Sequence, residues 1–258
     1  TTEEKSQRTH ARRDARISMR IAILSDVHGN LEALESVLIA IHREGAERVV
    51  VLGDLVGYGP DPVACIYRIR EVESICVLGN HDQAVVDPSL IRSFNSEARE
   101  TLLGTREMLT PELIDVLGAA SFRRVEYGGS LAHANPIRPE AWELLFAYDQ
   151  IAWCMEKSDW SVGFFGHTHH AGIYCQMGTR VVSLTSSTVA IGSHKYMINP
   201  GSVGQPRDGD WRAAFALWDV DENAIELQRV EYPVEKAQQK IESVGWPRYQ
   251  AERLMRGE

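Results

Sequence analysis

Cysteine is scarce in this chain, with 4 in 258 residues and no CxxC pair among Cys65, Cys76, Cys154 and Cys175. Their neighbours are apolar or aromatic, as in Ala64-Cys65-Ile66 and Ile75-Cys76-Val77, so they read as buried thiols of a reducing, cytoplasmic setting. Long apolar runs are missing too. Those present, such as Val49 to Leu52, fall far short of the roughly 18 residues that a membrane span needs, so no membrane partner is expected. Positive charge is in deficit: 27 Lys and Arg face 36 Asp and Glu, a formal charge of −9, with no basic run as a local exception. A surface of that sign repels phosphate backbones, which excludes sequence-independent polynucleotide binding. The rest is ordinary globular material, 44% hydrophobic and 24% charged, together with 9 histidines whose positions prove informative.

Residues 1–18 are polar and mixed in charge, without the apolar stretch of a signal peptide, and read as a flexible N-terminal extension ahead of Met19. Residues 19–258 read as a single domain. Arg20 to Leu24 is a buried strand by pattern, and Leu31, Leu34, Val37, Leu38 and Ile41 recur at helical spacing up to Gly45. Arg48 to Leu52 is a second strand, Asp61-Pro62 opens a helix through about Glu71, and Ser74 to Leu78 is a third strand. Two such units in a row predict parallel strands with right-handed crossovers. Residues 88 to 118 read as helical, with Thr110-Pro111 as cap and first-turn proline. Short strands then follow closely at 123–127, 130–133, 161–165, 172–176, 180–184, 196–198, 212–218 and 224–232. One helix over about 139–157 interrupts them, and another closes the chain after Pro233. The expected fold class is α/β (α+β): a four-layer α/β/β/α sandwich of two mixed sheets face to face with flanking helices.

In an open α/β sheet, ligands bind beyond the carboxyl ends of the strands. Those ends are rich in metal-ligand side chains: Ser25-Asp26-Val27-His28, Gly53-Asp54, Gly79-Asn80-His81-Asp82, Ala132-His133 and Gly166-His167-Thr168-His169. In an extended segment Asp26 and His28 point the same way, as do His167 and His169, so each pair can bite one ion. Carboxylate oxygen mixed with imidazole nitrogen suits Mn, Fe or Zn rather than calcium. Asp26, His28, Asp54, Asn80, His133, His167 and His169 exceed what one ion needs but fit two sharing a carboxylate, about 3.5–4 Å apart, with Asp54 the natural bridge. Glycine beside several of these motifs lets backbone approach an ion closely.

Taken in order, these residues resemble the calcineurin-like metallophosphoesterases, in particular their small bacterial and archaeal phosphodiesterase-like branch, whose pattern is D-x-H, GD, GNH[DE], H, GHxH. The match spans residues 19 to about 207. The resemblance implies that Asp26, His28, Asp54 and His169 hold one ion, that Asp54, Asn80, His133 and His167 hold the other, and that His81 is a catalytic histidine outside the ligand set. It further implies a phosphoesterase in which two divalent transition metals, manganese favoured, acidify a water between them for in-line attack on a phosphoryl group. His81 then donates a proton to the leaving oxygen or stabilises charge there.

The departures from that family bear on substrate. Its protein Ser/Thr phosphatases and symmetric dinucleoside tetraphosphatases carry GDxVDRG and an arginine soon after GNHE. Here the corresponding segments are Gly53-Asp54-Leu55-Val56-Gly57-Tyr58-Gly59 and, after Asp82, Gln83-Ala84. Without those arginines a dianionic monoester lacks its usual partners, which favours a phosphodiester or small nucleotide over a phosphomonoester or dinucleoside polyphosphate. Asn199-Pro200-Gly201-Ser202 and the run to Arg207 offer either a phosphate cradle or a plain turn; Arg207 is the remaining candidate contact for a substrate phosphate, and Tyr58 one for a base. His170 is expected to point away from the site, and His10, His42 and His194 to lie on the surface. Some relatives of the fold, such as the cargo-binding subunit of retromer, are interaction scaffolds that have lost ligands, whereas here no ligand position is lost. The sequence leaves the oligomeric state open.

Overall fold

The computed structural model describes residues 19–258, so the expectation for residues 1–18 lies outside the described residues. Twelve strands form two six-stranded sheets. The first contains β1 (Arg20–Leu24), β2 (Arg48–Val51) and β3 (Ile75–Cys76); the second contains β4 (Arg123–Glu126), β5 (Gly129–Ala132), β6 (Val162–Phe164), β7 (Gly172–Met177) and β8 (Arg180–Leu184). β9 (Thr188–Ala190) returns to the first sheet, β10 (Tyr196–Asn199) enters the second, and β11 (Ala213–Asp219) and β12 (Ala224–Val230) complete the first. The orders are β3-β2-β1-β11-β12-β9 and β4-β5-β6-β10-β7-β8. β1 pairs parallel with β2 and β2 with β3, as the alternation of strands and helices predicts, while β1 pairs antiparallel with β11.

The side-chain alternation of β1 sorts the layers. Ala22 and Leu24 face a core shared with α1 (Leu31–Arg43) and α2 (Pro62–Glu71), whereas Ile21 and Ile23 face a second core between the sheets, against Phe164, Ile173 and Ile198. A third core packs Phe165 and Met197 on Ile151, Cys154 and Met155 of a helix outside the second sheet. Three cores separate four layers, the expected sandwich. The remaining helices are α3 (Asn80–Val86), α4 (Ser96–Met108), α5 (Pro111–Gly118), α6 (Tyr148–Lys157), α7 (Val234–Ser243) and α8 (Arg248–Arg256). Cys65, Cys154 and Cys175 are buried and Cys76 is half-buried, all as free thiols. Among the described residues no helix is long and apolar enough to cross a membrane.

Four segments differ from expectation. Residues 139–157 are not one helix: a short 3-10 turn, Pro139–Ala141, leads into an irregular stretch, and α6 begins only at Tyr148. Trp142 breaks the helix by adopting left-handed backbone (φ 53°) while its indole donates to Gln83 Oε1 at 2.9 Å. The closing helix is two helices, parted where Gly245 turns left-handed (φ 76°) two residues before Pro247. α3 and β9 were not legible in the pattern.

The first sheet's helical layer is tied by a buried charge. Glu32 on α1 is 5% exposed and meets Lys236 at 3.0 Å and Lys240 at 2.8 Å on α7, and Lys240 also reaches Asp61 at 2.7 Å. Burial alone raises the Glu32 carboxyl, but the two lysines outweigh it and hold the group below its ordinary value of 4.5. A depressed carboxyl contributes stability that is present above that value and lost as pH falls below it. Glu32→Gln is therefore expected to cost about 1–2 kcal/mol at neutral pH, with the gap between urea midpoints narrowing below pH 4.5. An unchanged gap would show that Glu32 does not act through its charge.

Candidate metal centre

The loops that leave β1, β2, β5 and β6, together with the N-terminus of α3, converge at one edge of the sandwich. They bring Asp26, His28, Asp54, Asn80, His133, His167 and His169 together. The pointing of these side chains is not that of extended strands. Asp26 (φ 54°), His28 (48°), Asp54 (52°), His167 (66°) and His169 (59°) all sit in the left-handed region, so β1, β2 and β6 each end in a tight reversal that turns these side chains inward. Clustering of this sparsely populated conformation on five polar residues marks a built site.

The ring nitrogens point at one another. His28 Nε2 lies 3.1 Å from His169 Nε2, and His133 Nε2 lies 3.0 Å from His167 Nδ1 and 3.1 Å from Asn80 Oδ1. Each ring is anchored behind by a backbone carbonyl: His28 Nδ1 on Val56 at 3.1 Å, His169 Nδ1 on Gln205 at 2.6 Å, His133 Nδ1 on Leu52 at 2.7 Å and His167 Nε2 on Trp142 at 3.2 Å. A carbonyl only accepts, so the outer nitrogen carries a proton and the inner one is the position from which each ring can offer a lone pair to an ion. Asp26 Oδ1, buried and without a hydrogen-bond donor, faces His169 Nε2 at 3.2 Å; Asp54 Oδ2 faces His133 Nε2 at 3.3 Å and His28 Nε2 at 3.7 Å. Lone pairs gathered this closely repel unless positive charge lies among them, and a nitrogen and oxygen donor set fits divalent transition ions. Asp26, His28 and His169 form one compact group and Asp54, His133 and His167 a second, with His28, Asp54 and His81 a third that overlaps both.

The ionisation of the metal-free cluster follows from the same crowding. Burial drives His28, His81, His167 and His169 down, His81 to about 4 and His167 to about 3. His133 runs the other way, to about 9, because its burial penalty is outweighed by the adjoining Asp54. Asp54 is buried too, yet the charge of His133 holds its carboxyl well below the usual range. A proton on His133 thus supplies the positive charge that the two carboxylates require.

The surrounding shell is built to hold this arrangement. Asp82, pushed up to about 7 by burial and by Asp54, accepts from the backbone of Leu55 (2.9 Å), Val56 (3.2 Å) and Gly79 (3.2 Å), fixing the loop that carries Asp54. The segment after β10 is a brace rather than a phosphate cradle. Asn199 donates to the Gly166 carbonyl at 3.0 Å and Thr168 Oγ1 at 2.9 Å, and Ser202 Oγ donates to the Asp26 carbonyl at 2.8 Å. The glycines permit loop-on-loop contact. A Cβ on Gly166 would fall 1.9 Å from Ser25 Oγ, and one on Gly53 2.5 Å from the Gly79 nitrogen.

His81 lies beside the ligand cluster with its ring held by His28, Tyr58 and Phe94 at centroid distances of 4.8, 4.6 and 4.9 Å, and its Nδ1 is buried without a partner. Tyr58 is buried, edge-on to His28 at 4.7 Å, and the Arg207 guanidinium lies 5.5 Å over its ring, so Tyr58 is packed into the site wall. Arg207 is held by Gln205 Oε1 at 2.6 Å and faces the cluster from the His169 side. His170 turns its Nδ1 to the Thr168 carbonyl at 2.7 Å, outside the cluster; His42 and His194 are exposed, and His10 lies outside the described residues. Trp142, Phe94 and Gln83 line a cavity against Asn80 and His167. Sequence reasoning missed these three, because Trp142 fell inside an expected helix.

The model of the calcineurin-like phosphoesterase superfamily domain matches residues 19–223. The chain is 35% identical to the uncharacterised protein MJ0912 of Methanocaldococcus jannaschii, over 92% of this chain and 98% of that protein. A metallophosphoesterase structure from Sphaerobacter thermophilus superposes with a TM-score of 0.84 at 34% identity, covering 93% of this chain and all of that one. A shorter stretch is 36% identical to Escherichia coli phosphodiesterase YfcE over 77 residues, 26% of this chain and 42% of that protein. The family model spans most of the chain and includes every strand-end motif, so the chain belongs to the calcineurin-like phosphoesterase superfamily.

Proposed function

We propose that this protein is a dinuclear-metal phosphodiesterase acting on small diester or nucleotide substrates. The observation that carries the reading is the inward convergence of four imidazoles, each anchored behind by a carbonyl, on Asp26 and Asp54. Asp26, His28, Asp54 and His169 would hold one ion, and Asp54, Asn80, His133 and His167 the other, with manganese the favoured metal. When bound, such ions supply Lewis acidity, which acidifies water and withdraws charge from phosphoryl oxygens.

The chain's own residues do the rest. His81, immobilised among three rings, is the group to hold or deliver a proton at the leaving ester oxygen. Arg207, restrained by Gln205, takes a phosphoryl oxygen. A single arginine suits the one negative charge of a diester better than the two of a monoester, and the partial likeness to a phosphodiesterase points the same way. The four free thiols favour a cytoplasmic setting. With Mn²⁺ present, a nitrophenyl diester is expected to be hydrolysed faster than the matching monoester; the reverse order would refute the diester assignment.

A calorimetric prediction follows from His133. In metal-free protein its value of about 9 keeps it protonated at pH 7, so an entering ion must expel that proton. Metal-binding heats are expected to vary with the ionisation enthalpy of the buffer, by about one proton per chain, and affinity to weaken as pH falls. Heats independent of buffer would show that no proton occupies the cluster.

A further inference from the structure

The site is lopsided in charge. Arg207 sits at the end occupied by Tyr58 and His169, its backbone donating to the His169 carbonyl at 3.2 Å. The opposite end, beyond Asn80 and His167, opens into a cavity of about 280 Å³ walled by Trp142, Phe94, Leu90 and Gln83. Among the described residues no lysine, arginine, aspartate or glutamate lines it. Its polar groups are the Asn80 and Gln83 amides, the Trp142 indole, the His167 ring and the Ser93 hydroxyl, which donates to the Leu90 carbonyl at 2.7 Å. Gln83 lies one helical turn beyond Asn80 on α3, so the two share a face. The Trp142 indole can only donate, which commits the Gln83 carbonyl to it at 2.9 Å and leaves the Gln83 N–H₂ without a protein partner among the described residues. The same contact pins the indole, and the Trp142 carbonyl, accepting from His167 Nε2 at 3.2 Å, fixes the backbone beneath it.

A cavity with two aromatic rings, an amide donor and no lysine or arginine to hold a second phosphate suits a flat, uncharged ring with acceptor atoms on its edge. Its volume is near the lower end of the roughly 300–1,000 Å³ of small-molecule sites, enough for one ring system and not for a second nucleotide. We infer that the Trp142–Phe94–Gln83 cavity seats the non-reacting arm of the substrate, and that this arm is a neutral heteroaromatic group of the nucleobase kind. This inference rests on the proposed phosphodiesterase reading, which it narrows to diesters of single nucleosides.

The test separates the two. Two substrates differ only in the base: the methyl ester of adenylate and the methyl ester of its abasic ribose phosphate analogue. With Mn²⁺, wild-type kcat/KM is expected to favour the adenylate ester by about 10-fold or more, the scale of one base–aromatic stack. Trp142→Ala and Phe94→Ala should each bring the ratio toward one, and Trp142→Phe should retain part of it. In parallel, adenosine is titrated into the full wild-type chain with Zn²⁺ present. The Trp142 indole N–H resonance, identified by its loss in Trp142→Phe, is followed in proton–nitrogen correlation spectra and is expected to shift. A wild-type ratio near one overturns the inference while leaving the phosphodiesterase reading intact. If neither ester is hydrolysed, that reading fails and the spectra decide: a shift upholds the cavity's role, and no shift overturns it.

Discussion

Asp54→Ala is expected to leave protein that purifies folded but retains little bound metal and has no measurable phosphoesterase activity. Asp54 Oδ2 faces one histidine from each ligand group, His133 at 3.3 Å and His28 at 3.7 Å, while its other oxygen accepts from the His81 backbone at 2.8 Å. Removing it takes charge from both ligand groups at once and leaves lone pairs without a counter-charge. Loss of a residue that merely orients a ligand costs roughly 10–100-fold in affinity, so loss of a shared ligand should exceed about 100-fold. His81→Ala is the contrast. Its ring adjoins the cluster, so metal content measured by mass spectrometry should remain at the wild-type level while kcat falls by about 10²–10⁴-fold, the range for a proton-transfer group. The third ligand grouping, His28 with Asp54 and His81, gives this comparison its force. If His81→Ala lost metal as Asp54→Ala does, His81 would be a ligand and the proton-transfer role would fall.

Much of this site is legible in the sequence because its residues cluster at strand ends, where an apolar run stops abruptly at Asp26, Asp54, His133 or His167. Alternation in β1 likewise exposes the layering, since Ile21 and Ile23 are apolar on one face and Ala22 and Leu24 on the other. What does not show is the conformation by which the residues converge. Period-two reasoning aims Asp26 and His28 together along an extended chain, whereas left-handed backbone at both residues turns them in. That choice is made by long-range hydrogen bonds, the His28 nitrogen to the Asp54 carbonyl at 2.9 Å and the Gly204 nitrogen to the Asp26 carbonyl at 3.0 Å. Trp142 is hidden for the same reason: its conformation depends on Gln83, 59 residues away, and no local propensity reports that bond. α3 is obscured because Asn80-His81-Asp82 reads as a turn until the Asp82 side chain returns to the Gly79 nitrogen at its own N-terminus. β9 is a three-residue edge strand held only by β12, too short to show a period.

The second large effect is expected from one methyl group. Gly79 has ordinary extended backbone (φ −96°, ψ 166°), so alanine meets no conformational penalty there. Its Cβ, however, would lie 2.1 Å from both the nitrogen and Oδ1 of Asp54, and 2.9 Å from the Asp54 Cα. Two of those three are backbone atoms in a loop that Asp82 fixes from the other side, so the methyl group cannot be accommodated by rotating a side chain. The Asp54 carboxylate must move. Overpacking of this kind costs about 1–3 kcal/mol, and displacing a site group by an ångström costs a factor of about 100 in rate. Gly118→Ala in α5 is the matched control, because its Cβ meets Val86 at 3.4 Å, an ordinary contact. That variant should keep full activity and gain up to about 1 kcal/mol from the helix preference of alanine. Gly79→Ala should lose kcat/KM and metal affinity together, and urea midpoints should move in opposite directions for the two variants. Full activity in Gly79→Ala would mean that the Asp54 loop has slack, and that the glycine of this motif serves something other than the close packing of the two loops.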